Sequence, residues 1–226
     1  MALGGEGLVG PMAPSKIPTR TVERLARYRR IVRERADKGV QSLYSHELAA
    51  LAAGTAAQVR RDLMSIGCTG SSNYGYRVAE VLESIDGAID DVELQRVALV
   101  GVGNLGAALL DFVVQCCPNI VVSAAFDLDP NKTDRVYHGV HVYNDSNIGE
   151  VVRAQKINVA IICVPASAAQ DVVDQFVAAG VSGILNFAPL ILRVPINVYV
   201  EQIDMTVALE KAAYFARLRG AARKER

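Results

Sequence analysis

Gly101, Gly103 and Gly106, in the stretch VALVGVGNLGAALLDF, carry the most specific chemical signal of the chain. They follow an apolar strand and open a helix, the setting in which G-x-G-x-x-G cradles a pyrophosphate. Gly101 permits a tight turn, Gly103 lets the backbone approach the phosphates, and Gly106 lets helix and strand pack closely. Asp127 ends the next apolar strand, 21 residues beyond Gly106. A carboxylate there accepts hydrogen bonds from adenosine ribose hydroxyls and repels a 2′-phosphate, and no arginine follows at once. The pattern favours NAD(H) over NADP(H). A glycine turn in such a domain can also serve another ligand, coenzyme A among them.

Hydride transfer needs an acid or base beside the reacting carbon. The histidines are His46, His138 and His141. His46 falls on a helix far from the glycine motif. His138 and His141 flank a short strand and read as a surface pair, since no cysteine or acidic partner completes a metal set. The strand ends facing the nicotinamide half read CVPA and NFAP; they offer Asn186 and Phe187 but no general base. No catalytic residue and no metal ligand is assigned. A dinucleotide binder without acid–base chemistry reads as a sensor, with a small NAD-dependent oxidoreductase as the alternative.

Nearly 100 residues precede this motif. From Pro18, TRTVERLARYRRIVRERADKG spaces Val22, Leu25, Tyr28 and Ile31 or Val32 as a helix, with Arg20, Arg24, Arg27, Arg29, Arg30, Arg33 and Arg35 on a basic outer face and Gly39 closing it. YSHELAALAAG predicts a helix capped by Ser45 and stopped at Gly54. TAAQVRRDLMSIG predicts another, begun by a Thr55–Gln58 capping box. Val59, Leu63 and Ile66 form its buried stripe; Ala57, Arg61 and Met64 lie opposite, flanked by Gln58 and Arg60. Short helices meeting across a glycine, the second exposing Gln and Arg, describe a helix-turn-helix. Arg reads guanine and Gln reads adenine. GCTGSSNYGYR follows, where a winged helix carries its wing, and places Ser72 and Tyr76 there. A three-helix bundle with solvated arginines fits the same pattern.

The elements that hold these residues follow from length and charge. At 226 residues, 51% hydrophobic, the chain has room for two domains. Residues 15–80 carry 12 Lys/Arg against 6 Asp/Glu, residues 81–210 carry 6 against 16, and residues 211–226 carry 6 against 1. One domain suited to an anion beside one that is not is the reading of that split. Beyond a connector near IDGAIDDVELQ, strands and helices alternate through VALVG, NIVVSAAFDLD, VAIICVP, GILNFAP and VYVEQID, a doubly wound parallel sheet. Residues 1–14 read as a disordered leader. Cys68, Cys116, Cys117 and Cys163 show no C-x-x-C pairing. With no apolar run long enough to span a membrane, a reduced cytoplasmic protein without membrane contact is expected.

QVRRDL, GVGNLG, FDLDP, GILNFAP and VEQID in this order resemble the Rex redox-sensing repressors of bacteria, from about Ile17 to Leu218. The resemblance implies a homodimer with a winged helix-turn-helix domain (15–85), a Rossmann NAD(H)-binding domain (86–204) and a C-terminal helix swapped into the partner (205–226). It implies operator binding in the NAD⁺ or apo state and release by NADH. Ser45, Thr55, Gln58, Arg60, Arg61, Ser72 and Tyr76 then face DNA. Gly101, Val102, Gly103, Asn104, Leu105 and Gly106 hold the pyrophosphate, and Asp127 the ribose. Val164, Pro165, Asn186, Phe187 and Ala188 lie toward the nicotinamide half. Asp204 and Met205 reach toward the partner's nicotinamide. Two features depart from the family pattern. Ser71 and Ser72 replace the wing's basic pair, and Phe112 stands where a tyrosine commonly joins an arginine (here Arg30) to Asp204. A Rex-like dimer with weak or lost operator binding is the corresponding alternative.

Overall fold

The computed structural model describes residues 17–89, 95–116 and 120–224; the expected leader lies outside them. They form two compact units divided between 93 and 94. The first contains α1 (Thr19–Asp37), β1 (Ser42–Leu43), α2 (Ser45–Leu51), α3 (Ala56–Ser65), β2 (Tyr76–Arg77) and α4 (Val78–Ile89). Leu25, Tyr28 and Val32 of α1 share a core with Leu48, Val59, Leu63 and Ile85. Ile85 was expected in a connector; α4 instead carries it into that core and runs past the expected 85/86 boundary.

Local signals at the helix ends differ from those expected. Tyr44, not Ser45, is the N-cap of α2, and its backbone N–H donates to Glu47 at 2.7 Å. The helix stops at Leu51 because Ala53 takes a left-handed conformation (φ 53°), so the turn into α3 does not rely on Gly54. Thr55 caps α3 by accepting from the Gln58 N–H at 3.2 Å. The reciprocal half of the capping box is replaced, because the Gln58 amide donates to Asp62 at 2.8 Å.

The second unit is a seven-stranded sheet in the order β5-β6-β4-β3-β7-β8-β9. Its strands are β3 (Gln95–Val100), β4 (Ile120–Asp127), β5 (Arg135–Tyr137), β6 (Val140–Asn144), β7 (Val159–Ile162), β8 (Gly183–Asn186) and β9 (Tyr199–Gln202). All neighbours are parallel except the edge pair β5–β6. Helices α5 (Asn104–Cys116), α6 (Ile148–Ala154) and α7 (Ala166–Ala178) connect them. Alternation along β3 sends Ala98 and Val100 into a core with Phe126, Ile148 and Phe176. Val97 and Leu99 enter the opposite core with Leu110 and Val142. A sheet apolar on both faces is what a doubly wound fold requires. In register, Val100, Phe126 and Ile162 bring the ends of β3, β4 and β7 to one edge, where this fold class binds ligands. The last helix, α8 (Met205–Lys224), belongs to this unit.

Candidate dinucleotide site and DNA-facing helix

The glycine turn is built by three different constraints. Gly101 has φ 91°, and a Cβ there would stand 2.6 Å from the Cys163 carbonyl oxygen at the end of β7. A Cβ at Gly106 would stand 1.9 Å from the Gly101 carbonyl oxygen, so α5 packs on β3 through bare backbone. Gly103 meets nothing within 4 Å; its missing side chain leaves open space at the start of α5. That combination fits a dinucleotide phosphate, which needs a rigid turn and an unobstructed approach to helix N–H groups.

Asp127 fixes this turn from the next strand. Its Oδ2 accepts the Val102 N–H at 2.8 Å and the Lys132 ammonium at 3.1 Å; its Oδ1 accepts the Asp129 N–H at 2.9 Å. The sequence reading identified Asp127 but missed Lys132, which sits five residues on in the FDLDPNK turn. A pocket of about 350 Å³ is lined by Gly101, Gly103, Asp127, Leu128, Lys132, Asp145, Cys163, Val164, Pro165 and Ala168. Burial pushes the Cys163 thiol up to about 12, so it is a neutral wall and not a nucleophile. Asn104 and Leu105 begin α5, while Val102 is buried in the turn itself.

The expected nicotinamide-side residues divide. Val164 and Pro165 line the pocket; Asn186, Phe187 and Ala188 are not among its walls. Asn186 is fully buried. Its Nδ2 donates to the Ala188 and Leu190 carbonyls and to Gln202, and its Oδ1 accepts the Ala188 N–H. Its amide is spent on holding the loop after β8. His138 pairs with Asp111 at 3.1 Å and His141 lies 3.9 Å from Asp134. Each histidine thus has its own carboxylate, and among the described residues no group of three or more His, Cys, Asp or Glu could hold a metal ion.

In the first unit, α3 exposes Ala57, Arg60, Arg61 and Met64. Asp62 lies on the other side and is the polar anchor that sequence reasoning missed. Arg24 grips it through Nε at 2.6 Å and Nη2 at 2.7 Å, Tyr28 donates at 3.1 Å and Gln58 at 2.8 Å. Burial works against the charge on Asp62, but these donors hold its carboxyl below the usual range. Burial and the same carboxylate push the Tyr28 phenol up to about 12. Arg24 is therefore a structural cation and not part of a solvated basic face; Arg29 and Arg33 likewise bind Asp86. Gln58, half-buried and bonded to both Asp62 and Arg61, is a brace for its neighbours. Arg60 donates to the Ser45 hydroxyl at 3.1 Å, tying α3 to α2.

The wing follows. β2 pairs with β1, and Ser71 bridges Gly75 around an exposed tip of Ser72, Asn73 and Tyr74. Tyr44 donates to the Asn73 carbonyl at 2.8 Å. Tyr76 is half-buried below the tip, against Gly70, where a Cβ would come within 2.8 Å of its ring.

Comparison with known proteins joins the two halves. A model described as a CoA binding domain matches residues 92–190, and one described as a putative DNA-binding protein N-terminus matches residues 16–63. The redox-sensing transcriptional repressor Rex of Leuconostoc citreum is 41% identical over 200 residues, covering 88% of this chain and 93% of its own. That of Ligilactobacillus salivarius is 40% identical over 204 residues, covering 90% and 96%. The chain belongs to the Rex family. Among solved structures, the Rex-family repressor RSP is 27% identical with a TM-score of 0.81, covering 92% of this chain and 98% of its own. RSP in complex with β-NAD⁺ and operator DNA gives 27%, 0.83, 92% and 96%. RSP with β-NADH gives 26%, 0.80, 93% and 99%.

The residues expected to form a switch fall in both units. Arg30 is exposed on α1; Phe112 is exposed on α5. Asp204 precedes α8 and caps it, its Oδ1 accepting the Val207 N–H at 2.9 Å. Met205 is exposed at the first turn of α8. Among the described residues no helix is long and apolar enough to cross a membrane.

Proposed function

We propose that this chain is a redox-sensing transcriptional repressor that acts as a homodimer, binds operator DNA in the NAD⁺ or apo state and is released by NADH. The observation that carries this reading is the pairing, in one chain of the Rex family, of an α3 that exposes Arg60 and Arg61 with a glycine turn closed by Asp127. It is a repressor and not an enzyme, as its curated relatives are. Arg61 reaches a base edge, Arg60 and Ser45 stand at the backbone, and Thr55 presents the start of α3 to phosphate. Gln58 acts through Arg61, which it braces. NAD(H) fits the pocket: Gly103 leaves room for the pyrophosphate and Asp127 with Lys132 meets the ribose. When bound, the nicotinamide supplies the redox signal, a ring that is cationic in one state and neutral in the other.

Homodimer formation draws support from α8. Met205, Val207, Leu209, Tyr214, Phe215 and Leu218 are all exposed on it, more apolar surface than a solvated helix carries without a partner. Two copies with one recognition helix each call for a palindromic site with half-sites about one helical turn apart. Weak operator binding is the second reading, favoured by the exposed Ser71 and Ser72, which bring no cation to the minor groove.

Mobility shifts on Rex operator DNA test both. Retention with NAD⁺ and release by NADH is the expected result, and Arg61→Ala should weaken the complex by about 1–3 kcal/mol. Equal affinity for operator and scrambled DNA would overturn the reading and leave the second one standing.

A further inference from the structure

The pocket contains a carboxylate for which the family reading has no use. β6 runs parallel to β4, with Asn144 opposite Asp127, so the residue after Asn144 stands one strand outward from the ribose position. That residue is Asp145. It lines the pocket and is only 5% exposed, and its Oδ1 has no hydrogen-bond partner. Asp127 offers the contrast, since both of its oxygens already have a donor, from Val102 and Lys132 on one and Asp129 on the other. Burial, with the charge of Asp127 added, pushes the Asp145 carboxyl up to about 6. Its Oδ1 is a desolvated acceptor lacking a donor.

Buried polar atoms without partners are rare, and each costs stability. Asp145 is therefore an expensive residue for the fold alone, and its position says what would satisfy it. Among the other walls, Leu128 and Ala168 are apolar and suit the face of a planar base. An adenine laid there beyond the ribose presents one strong donor at its edge, the exocyclic amino group. We propose that Asp145 is a specificity-determining residue that reads the adenine of the dinucleotide by accepting a hydrogen bond from that amino group. The proposal rests on the assignment of this pocket to NAD(H).

Hypoxanthine carries a carbonyl oxygen where adenine carries the amino group, so it sets an acceptor against the Asp145 carboxylate. Titration of the full chain with NADH and with reduced nicotinamide hypoxanthine dinucleotide tests the contact directly. The wild type should prefer NADH by ~10-fold or more, the size of a charge-assisted hydrogen bond. Asp145→Asn keeps the shape and can turn its amide N–H₂ toward a carbonyl. Asp145→Leu removes the polar contact altogether. In both variants the preference should fall to within about threefold. An unchanged preference in both variants would overturn the proposal. An equal loss for the two dinucleotides would also overturn it and assign Asp145 to the ribose. A wild type that binds neither would overturn the NAD(H) reading and this proposal together.

Discussion

At the residue scale, the three glycines of the turn are not interchangeable, and their differences separate folding from binding. Gly106 has no room for a Cβ, which would sit 1.9 Å from a backbone oxygen. Gly106→Ala must therefore push α5 away from β3, at the roughly 1–3 kcal/mol or more that overpacking costs. Gly103→Ala meets nothing in the chain itself; its methyl intrudes only where the pyrophosphate would lie. The expected outcome is a lowered melting temperature for Gly106→Ala, and an unchanged one for Gly103→Ala with NADH affinity reduced at least tenfold. Thermal melts paired with NADH titration check it. A Gly103→Ala protein that binds NADH normally would show that the phosphates do not cross this turn. The motif was legible because its setting is local: an apolar strand, a glycine turn and a helix follow each other in sequence. Lys132 and Asp145 were not legible. Lys132 folds back on Asp127 within the turn after β4, a turn that carries no glycine signal; Asp145 joins the pocket through the parallel pairing of β4 and β6, which no short-range spacing announces.

At the element scale, the position of α3 depends on one buried carboxylate. Asp62 joins α3 to α1 through Arg24 and Tyr28 across 38 and 34 residues of sequence. That distance is why helical periodicity, which found the Val59 and Leu63 stripe, was silent on Asp62 and counted Arg24 among solvated arginines. Helix ends were misplaced for a related reason: Ala53 takes the left-handed turn that a glycine was expected to supply. Removing Asp62 leaves the half-buried Arg24 guanidinium and the buried Tyr28 phenol without their shared carboxylate. Asp62→Ala should cost about 3 kcal/mol, at the low end for breaking a buried pair because Arg24 is partly exposed. Operator affinity should fall with it while NADH affinity holds. The pH sign follows from the lowered pKa of Asp62. Its contribution is full above the unfolded carboxyl value near 3.9 and is lost as pH falls through the lower folded value. The difference in stability between wild type and Asp62→Ala should therefore be constant from pH 8 to 5 and narrow only in stronger acid. Denaturant melts across that range check it. A gap that closes already near pH 6 would assign the anchor to another group.

At the scale of the whole molecule, a repressor of this kind must convert one charge on a nicotinamide ring into a change at α3. Asp204 is the residue through which the family pattern runs that signal, and in this chain it already has an occupation, capping α8 through Val207. A carboxylate near the ring favours the cationic NAD⁺ by Coulomb attraction unless another cation engages it. In the proposed switch the helix cap, the oxidised ring and Arg30 would compete for this one side chain. In the family pattern a tyrosine hydroxyl biases that choice. Phe112 is 57% exposed and has no hydroxyl to offer; in the proposed switch the exchange between Arg30 and Asp204 would then be direct and the redox preference modest. Restoring the hydroxyl with Phe112→Tyr adds a hydrogen bond worth about 0.5–1.5 kcal/mol net, somewhat more to a charged group. The ratio of NADH to NAD⁺ affinity should move by roughly two- to tenfold. Arg30→Ala should leave NADH binding in place yet uncouple it from DNA release. Calorimetric titration with each dinucleotide, run beside mobility shifts on the same variants, measures both effects. If Phe112→Tyr leaves the ratio unchanged and Arg30→Ala still releases DNA with NADH, the signal travels by other residues, and α8 is where to look for them.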